Sequence, residues 1–506
     1  MKKVLLTCPL SHKLFDVTLG HDNMRNFAYQ HEEIKKSVDI EILKLDISES
    51  LEDQVKKIAH LKPDMVGMST FIWNLYDNLY IAGEIKRMMP EVVIILGGPQ
   101  ISDPEWNILE YTDNIDGVVR GEGEVTFSLI LKSWLKNGHV YDRTIPNYEF
   151  KENGQIIVNP DGPPIENLDI IPKRFENFRA EPGGHYCIET IRGCRNRCSY
   201  CFEGPKRIRK HSLEYVFSEL ENIYKAGIKN LQILDSSFTY DKKRFKEISS
   251  VLKKYGIRYS CCANIDELTP EIMDILIDTG LKDLDLGIQS TNPEALRLMN
   301  RKDNTSLFEN YAKTMIQKVK GSDIRVSIDI IAGLPGDNLK TFCQSMDFAY
   351  NLRPFQVGAY PFQLLPGTEY FKRRDEFGIK FIPFTNVNKH ANDRYDFQKY
   401  GLVTETFSFK KDEMITAHHI CSFNTLIVRS RLVELMYELL NETGHNFSDL
   451  FFFADSILPS DFYSHFDDLD NRESAVYLWN CFCDVLYEYG KKYGCSKIAE
   501  KIKKIA

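Results

Sequence analysis

The chain has 506 residues, too many for one ordinary hydrophobic core, so two or three domains are expected. Its composition, 43% hydrophobic and 27% charged, is globular and excludes a disordered or low-complexity protein. A formal net charge of −8 argues against a general nucleic-acid binder, and no apolar run approaches the roughly 18 residues of a membrane span.

The opening MKKVLLTCPLSHK has a basic start, but its apolar run is too short for a secretory signal. Twelve cysteines without an export signal predict reduced thiols and a cytoplasmic protein. Residues 1–140 then alternate between two patterns. Apolar runs at 3–8, 40–45, 65–70, 92–98 and 116–123 read as buried strands. Helical spacing occupies 51–61, 74–89 and 104–112. Such alternation predicts a doubly wound parallel sheet whose ligand sits beyond the carboxyl ends of the strands. Those ends carry Pro9, Leu10 and Ser11; Ser69, Thr70, Phe71 and Trp73; Gly97, Gly98 and Pro99; and Gly121, Glu122, Gly123 and Glu124. Paired glycines, having no Cβ, let a large planar or phosphorylated ligand approach the backbone. The turn after the first strand is PLSHK rather than G-x-G-x-x-G, which disfavours a dinucleotide fold, and the acidic strand-end cluster of a receiver domain is absent. The pattern alone leaves the ligand open.

Residues 141–183, rich in proline and glycine from 159 onward, read as a linker. A strand over 186–193 then delivers Cys194, Cys198 and Cys201, spaced C-x3-C-x2-C. A closed zinc site takes four protein ligands, and iron–sulfur clusters are usually held by four cysteines. Three thiolates therefore leave one metal position for a ligand from outside the chain, and no second C-x2-C is present to complete a zinc site. Cys261 and Cys262 are neighbours on a strand, so they point to opposite faces and read as small buried hydrophobes. The basic run PKRIRKHS (205–212) is a solvated turn or a clamp for an anionic substrate. Further strands at 230–236, 257–264, 281–290, 324–336 and 356–368 bring the count to six, which predicts a partial (β/α)6 barrel over 184–398 with its active site at the carboxyl ends. Residues 399–506 read as aromatic-rich helices that cap the barrel mouth. There His418 and His419 read as packing or surface residues, and Cys421, Cys481, Cys483 and Cys495 lack the usual spacing of an auxiliary cluster.

LGGP after the fourth strand, GEGE after the fifth and the C-x3-C-x2-C domain that follows resemble the cobalamin-binding radical S-adenosylmethionine (SAM) family over residues 1 to about 400. The resemblance implies an N-terminal cobalamin-binding domain, a radical SAM barrel and a helical C-terminal domain. It implies a 4Fe–4S cluster on Cys194, Cys198 and Cys201, with SAM chelating the fourth iron. Tyr200 would line the adenine, and Asp235 and Ser236 would face the methionine amino group in place of the family's G-G-E motif. Gln289 and Ser290 would meet the ribose, Gly333 of the GLPG motif the adenine, and Leu365 would form the contact from the sixth strand. The strand-end residues of the first domain would hold cobalamin, with Phe71 and Trp73 either at the corrin or in ordinary core packing. D-x-H-x-x-G, whose histidine ligates cobalt, is absent around His12, His21, His31 and His60. The implied activity is methyl transfer to an unactivated carbon or phosphorus through methylcobalamin and a 5′-deoxyadenosyl radical; the alternative is rearrangement, cyclisation or ring contraction without methyl transfer. Implied partners are a small-molecule or peptide substrate and an external reductant of flavodoxin or ferredoxin type, with neither membrane nor nucleic acid.

Overall fold

The computed structural model describes residues 1–10, 18–46, 49–102, 107–181, 184–203, 206–301, 305–383, 401–430, 432–468 and 472–505. Its first sheet comprises β1 (Lys2–Leu10), β2 (Val38–Asp46), β3 (Met65–Ser69), β4 (Val93–Gly97), β5 (Gly117–Val119), β6 (Tyr148–Glu152) and β7 (Gln155–Val158), in spatial order 2-1-3-4-5-6-7. The first five strands pair in parallel and the last two antiparallel. Alternation along β1 sends Leu5 and Leu6 to opposite faces. Leu6 joins Ile95, Phe127 and Trp134 under α1 (Leu19–Ala28), α2 (Glu32–Ser37) and α5 (Gly123–Asn137). Leu5 joins Val55, Val66 and Leu79 under α3 (Leu51–Leu61) and α4 (Leu75–Met88). Helix α3 starts where Ser50 accepts a hydrogen bond from Asp53 N at 3.1 Å, and Glu52 and Asp53 favour its positive N-terminal end. The strand order reverses between β1 and β3, which opens a crevice at their carboxyl ends.

Two expectations for this half need correction. Residues 141–183 are not a plain linker, because β6 and β7 within them form a hairpin that extends the first sheet. Of the helix expected over 104–112, the described part is a single 3-10 turn, Ile108–Glu110; residues 103–106 lie outside the described residues.

The second sheet contains β8 (Cys187–Ile188), β11 (Asn230–Ile233), β12 (Arg258–Cys262), β13 (Leu281–Gln289), β14 (Arg325–Ala332) and β15 (Gln356–Pro361), consecutive and parallel throughout. The strand expected over 186–193 is split, since β9 (Ile191–Arg192) leaves β8 and pairs instead with β10 (Arg209–Lys210). Helices α6 (Leu213–Lys225), α7 (Lys242–Tyr255), α8 (Pro270–Asp278), α9 (Pro293–Leu298), α10 (Thr305–Val319) and α11 (Leu339–Leu352) alternate with these strands to make the six-unit open barrel. A short α12 (Glu369–Lys372) precedes the helical tail of α13 (Lys411–Ser430), α14 (Val433–Thr443), α15 (Phe447–Ile457), α16 (Arg472–Lys492) and α17 (Ser496–Ile505).

The tail docks only in part as expected. Buried Asn424 of α13 donates to Val357 O at 2.9 Å and accepts from Tyr350 OH at 2.7 Å, and Tyr437 donates to Pro354 O at 2.9 Å. These contacts fall on α11 and on the beginning of β15, whereas the first part of the segment reaches the carboxyl ends of the strands: Ser408 Oγ accepts from Gly336 N at 2.8 Å, Val403 N donates to Phe362 O at 3.0 Å, and Met414 packs against Gly333. The tail thus meets the barrel mouth through residues 403–414 and extends the outer helical layer through the rest of α13 and α14. No helix among the described residues is long and apolar enough to cross a membrane.

Candidate active site

A cavity of about 550 Å³ opens between the two sheets. On one side it is lined by strand-end residues of the first domain: Ser69, Phe71, Gly97, Gly98, Pro99, Gly121, Glu122, Gly123 and Glu124. On the other it reaches Glu189, Ile191, Arg192, Gly193 and Phe202, which bracket the cysteine loop, and Leu234 and Ser236 at the end of β11. Helix α1 contributes His21, Asn23 and Met24. The volume is that of a cofactor or substrate site.

Local chemistry explains the first wall. Gly98 has φ +113°, and a Cβ there would run into the backbone of Thr70, so only glycine lets the loops after β3 and β4 approach. Thr70 N donates to Gly97 O at 2.7 Å, and the Asn74 and Asn78 side chains donate to Ser69 O at 2.8 and 3.1 Å, which fixes the loop. Thr70 is fully buried as a result and does not line the cavity, contrary to the expectation. Phe71 lines it, whereas Trp73 is 52% exposed and stacks on Phe71 at 4.6 Å, outside the lining and equally outside the core. Pro9 and Leu10 end β1, and Ser11 and His12 lie outside the described residues. Glu122 and Glu124 line the cavity, yet their carboxylates are engaged by Arg209 and Arg192 of the second domain.

The cysteine loop is held by its backbone. Ser199 N donates to Met299 O at 3.0 Å, Tyr370 N to Ser199 O at 2.9 Å, and Asn300 Nδ2 to Arg197 O at 2.9 Å. Cys194 and Cys201 are partly exposed and Cys198 is buried. Burial pushes the Cys198 thiol up to about 11; Arg301 opposes that rise, while neighbouring Cys201 and Cys194 add to it. Among the described residues no three His, Cys, Asp or Glu side chains converge tightly enough for a single metal ion.

The SAM-contact expectations fare unevenly. Ser236 faces the cavity, but Asp235 is 1% exposed and turned away from it. Its Oδ1 accepts from Thr190 N at 2.6 Å and Ile191 N at 3.0 Å, and its Oδ2 from Thr190 Oγ1 at 2.5 Å, so it pins the bend between β8 and β9. Gln289 sits at a register shift between β13 and β14 with φ +67°, a strained conformation for a side chain with a Cβ. Ser290 is fully buried and accepts from Asn292 N at 3.0 Å, so it braces the turn into α9 instead of facing the lumen. Gly333 has φ +93°, and a Cβ there would strike Met414 of α13, so it is committed to packing. Tyr200 accepts from Arg301 Nη1 at 3.3 Å, and the Leu365 carbonyl accepts from Thr368 Oγ1 at 2.7 Å.

Asp285, Asp329 and Tyr360, near Gln289 on the barrel strands, had no sequence signal strong enough to single them out. Burial alternates along β13 and β14, which leaves Asp285, Gln289 and Asp329 half-buried on the inner face, beside exposed Cys262 and Tyr360. Cys262 is thus not buried, contrary to the expectation, while Cys261 is. Burial, reinforced by the Asp285 carboxylate, pushes Asp329 up to about 7. The described part of the basic run, 206–212, is solvated at Arg207, which is 77% exposed, and turns inward at Lys206 and Arg209, which line the cavity. Lys206 pairs with Glu203, Arg207 with Glu166, Arg209 with Glu122 and Lys210 with Asp241. His419 stacks on Tyr463 at 3.6 Å, in line with a packing role.

Residues 188–349 match the radical SAM superfamily, and residues 30–131 match the B12 binding domain. The chain belongs to the cobalamin-binding radical SAM proteins. An uncharacterized methyltransferase of Pyrococcus horikoshii is 29% identical over 59% of this chain and 68% of its own length. The cobalamin-dependent radical SAM methyltransferase TokK of Streptomyces tokunonensis is 23% identical over 78% of this chain and 60% of its own. The structure of the cobalamin-dependent SAM radical enzyme OxsB is similar at a TM-score of 0.66 and 14% identity, covering 99% of this chain and 80% of that one, a likeness of fold. The two cofactors that this family membership brings suit the residues present. In the radical SAM domain a thiolate-only donor set with one metal position left over suits an iron–sulfur cluster completed by an outside ligand. In the B12 domain the strand-end loops with Ser69, Phe71, Gly97, Gly98, Pro99, Gly121 and Gly123 line a cavity of about 550 Å³, and Gly121 leaves open space where a Cβ would stand.

Proposed function

We propose that this protein is a cobalamin-dependent radical SAM methyltransferase acting on an unactivated carbon or on phosphorus. The observation that supports this reading best is a cavity shared by the strand-end loops of the B12 domain and the flanks of the cysteine loop. When bound, the cluster supplies the electron that cleaves SAM and the corrinoid carries the methyl group. The protein's own residues then have three tasks. Cys194, Cys198 and Cys201 hold the cluster, on a loop whose entry is fixed by Asp235. The strand-end loops that carry Phe71, Gly97, Gly98, Gly121 and Gly123 would hold the corrinoid, with Gly98 keeping two of those loops close together. Ser236 and Gln289 contact SAM, and the inner-face residues Cys262, Asp285, Asp329 and Tyr360 meet the substrate.

Methyl transfer to a carbon that is not nucleophilic needs this arrangement, because simple displacement on SAM requires a lone pair on the acceptor. We infer a small-molecule or peptide substrate, a flavodoxin or ferredoxin as reductant, and a reducing cytoplasm in which the thiols stay free. The test is to incubate the reduced, reconstituted protein with SAM carrying a deuterated methyl group and a metabolite extract of its source cells. The reading expects a protein-dependent product that carries the deuterated methyl. Consumption of a metabolite into an isomer or a cyclised product without label would replace it with the rearrangement reading.

A further inference from the structure

Two arginines of the radical SAM domain reach into the acidic loop that opens α5. Arg192 Nη2 lies 2.5 Å from Glu124 Oε1 and 2.6 Å from Glu189 Oε1, and its Nη1 lies 3.7 Å from Glu122 Oε1. Arg209 grips both Glu122 oxygens, at 3.0 and 2.5 Å, and donates to Ile165 O at 2.8 Å. Glu122 also accepts from Ile165 N at 2.9 Å. The two arginines face each other across the β9–β10 pair. Both arginine side chains are at least 87% shielded, so salt does not screen this network as it screens surface pairs. Burial disfavours the Arg192 charge, but Glu124 and Glu189 more than offset this and hold it firmly protonated.

Each end of the network is tied to a functional loop. Arg192 is followed by Gly193 and Cys194. Gly193 has φ +93°, and a Cβ there would collide with the Arg207 carbonyl, so this segment lies directly against the turn before β10. Cys194 N donates to Lys206 O at 3.3 Å, which extends the contact to the first thiol. At the other end Glu122 and Glu124 alternate with Gly121 and Gly123 in the cavity wall. A shift of Arg192 relative to Glu124 is therefore a shift of the cysteine loop relative to the B12 loops.

We propose that Glu122–Arg209 and Glu124–Arg192 form a clasp that sets the separation between the corrinoid loops and the cysteine loop, so that Arg192 and Arg209 are positioning residues rather than cofactor ligands. The proposal rests on both cofactors sharing the cavity and not on methyl transfer, so a protein that rearranged its substrate would leave it intact.

The test measures that separation by electron paramagnetic resonance. The full chain, reconstituted with iron, sulfide and cobalamin, is reduced until the cob(II)alamin and cluster signals coexist, and the magnetic coupling between them is read. Wild-type protein should show one well-defined coupling. Glu124→Gln removes a charge at constant shape, Arg192→Lys keeps the charge but loses the fork, and Arg192→Met removes both. Each should keep its cofactors while the coupling weakens or broadens, with Lys least affected. The Glu124→Gln, Arg192→Met double variant should lose no more than the worse single one, because both break the same contact. If Arg192→Met does not fold, Glu124→Gln and Arg192→Lys carry the test. Unchanged coupling in loaded Glu124→Gln and Arg192→Lys protein would overturn the proposal, even if thermal stability fell.

Discussion

Asp235 sits at the end of β11, where a carboxylate could point into the lumen or into the neighbouring chain. Three donors from Thr190 and Ile191 draw it into the chain. Burial still pushes its carboxyl up to about 6, from an ordinary value of 3.8. Between those values the folded chain holds a proton that the unfolded chain has released, so this group's contribution to stability is present below pH 3.8 and is lost as pH rises through 6. Asp235→Asn does not titrate, and its unfolding free energy should lack this fall; an identical pH slope in variant and wild type would reject the assignment. The variant should also take up less iron, because the bend leading to Cys194 has an amide NH2 in place of the oxygen that accepts from Thr190 Oγ1. At the cysteines themselves, Cys194→Ala, Cys198→Ala and Cys201→Ala should each abolish reductive SAM cleavage in anaerobically reconstituted protein. Retained deoxyadenosine formation in any one of them would remove the cluster from this loop.

Elements decide which strand-end residues reach the cavity. The loop after β4 depends on Gly98, whose backbone conformation and closeness to Thr70 exclude a side chain. Gly98→Ala should cost about 1–3 kcal/mol from backbone strain alone, and should lower cobalamin uptake measured by absorbance. Normal uptake and an unchanged melting temperature would show that the loop does not hold the corrinoid. Helix α1 places buried His21 in the cavity wall, outside any D-x-H-x-x-G context. We expect no nitrogen superhyperfine splitting in the cob(II)alamin spectrum; splitting that vanishes in His21→Ala would make this histidine a cobalt ligand. On the far side of the barrel, Asn424→Ala leaves the Val357 carbonyl and Tyr350 hydroxyl buried without their partner. It should cost roughly 1–3 kcal/mol of stability while iron and cobalamin loading of the folded protein stay normal.

At the scale of the whole molecule, what is legible in the sequence follows from how local each signal is. The C-x3-C-x2-C loop and the β/α alternation of both halves are local patterns, and they appear where the sequence puts them. The open barrel follows from six parallel runs at regular spacing. The β6–β7 hairpin is not legible, because short polar strands at a sheet edge look like linker until their partner strand is known. Glu122 and Glu124 have their glycine context in plain view, but their partners Arg192 and Arg209 are 68 to 87 residues away. Charge alone cannot pair them. Asp285 and Asp329 meet only through the register of β13 and β14.

The central claim is that one cavity uses SAM in two ways, and product counting tests it most directly. Reconstituted, cobalamin-replete protein is reduced anaerobically with SAM and a metabolite extract, and S-adenosylhomocysteine and 5′-deoxyadenosine are quantified together, in wild type and in Cys198→Ala. Wild type should form both in roughly equal amounts, and Cys198→Ala should lose deoxyadenosine while still forming adenosylhomocysteine. Substrate-dependent deoxyadenosine with no matching adenosylhomocysteine would contradict methyl transfer.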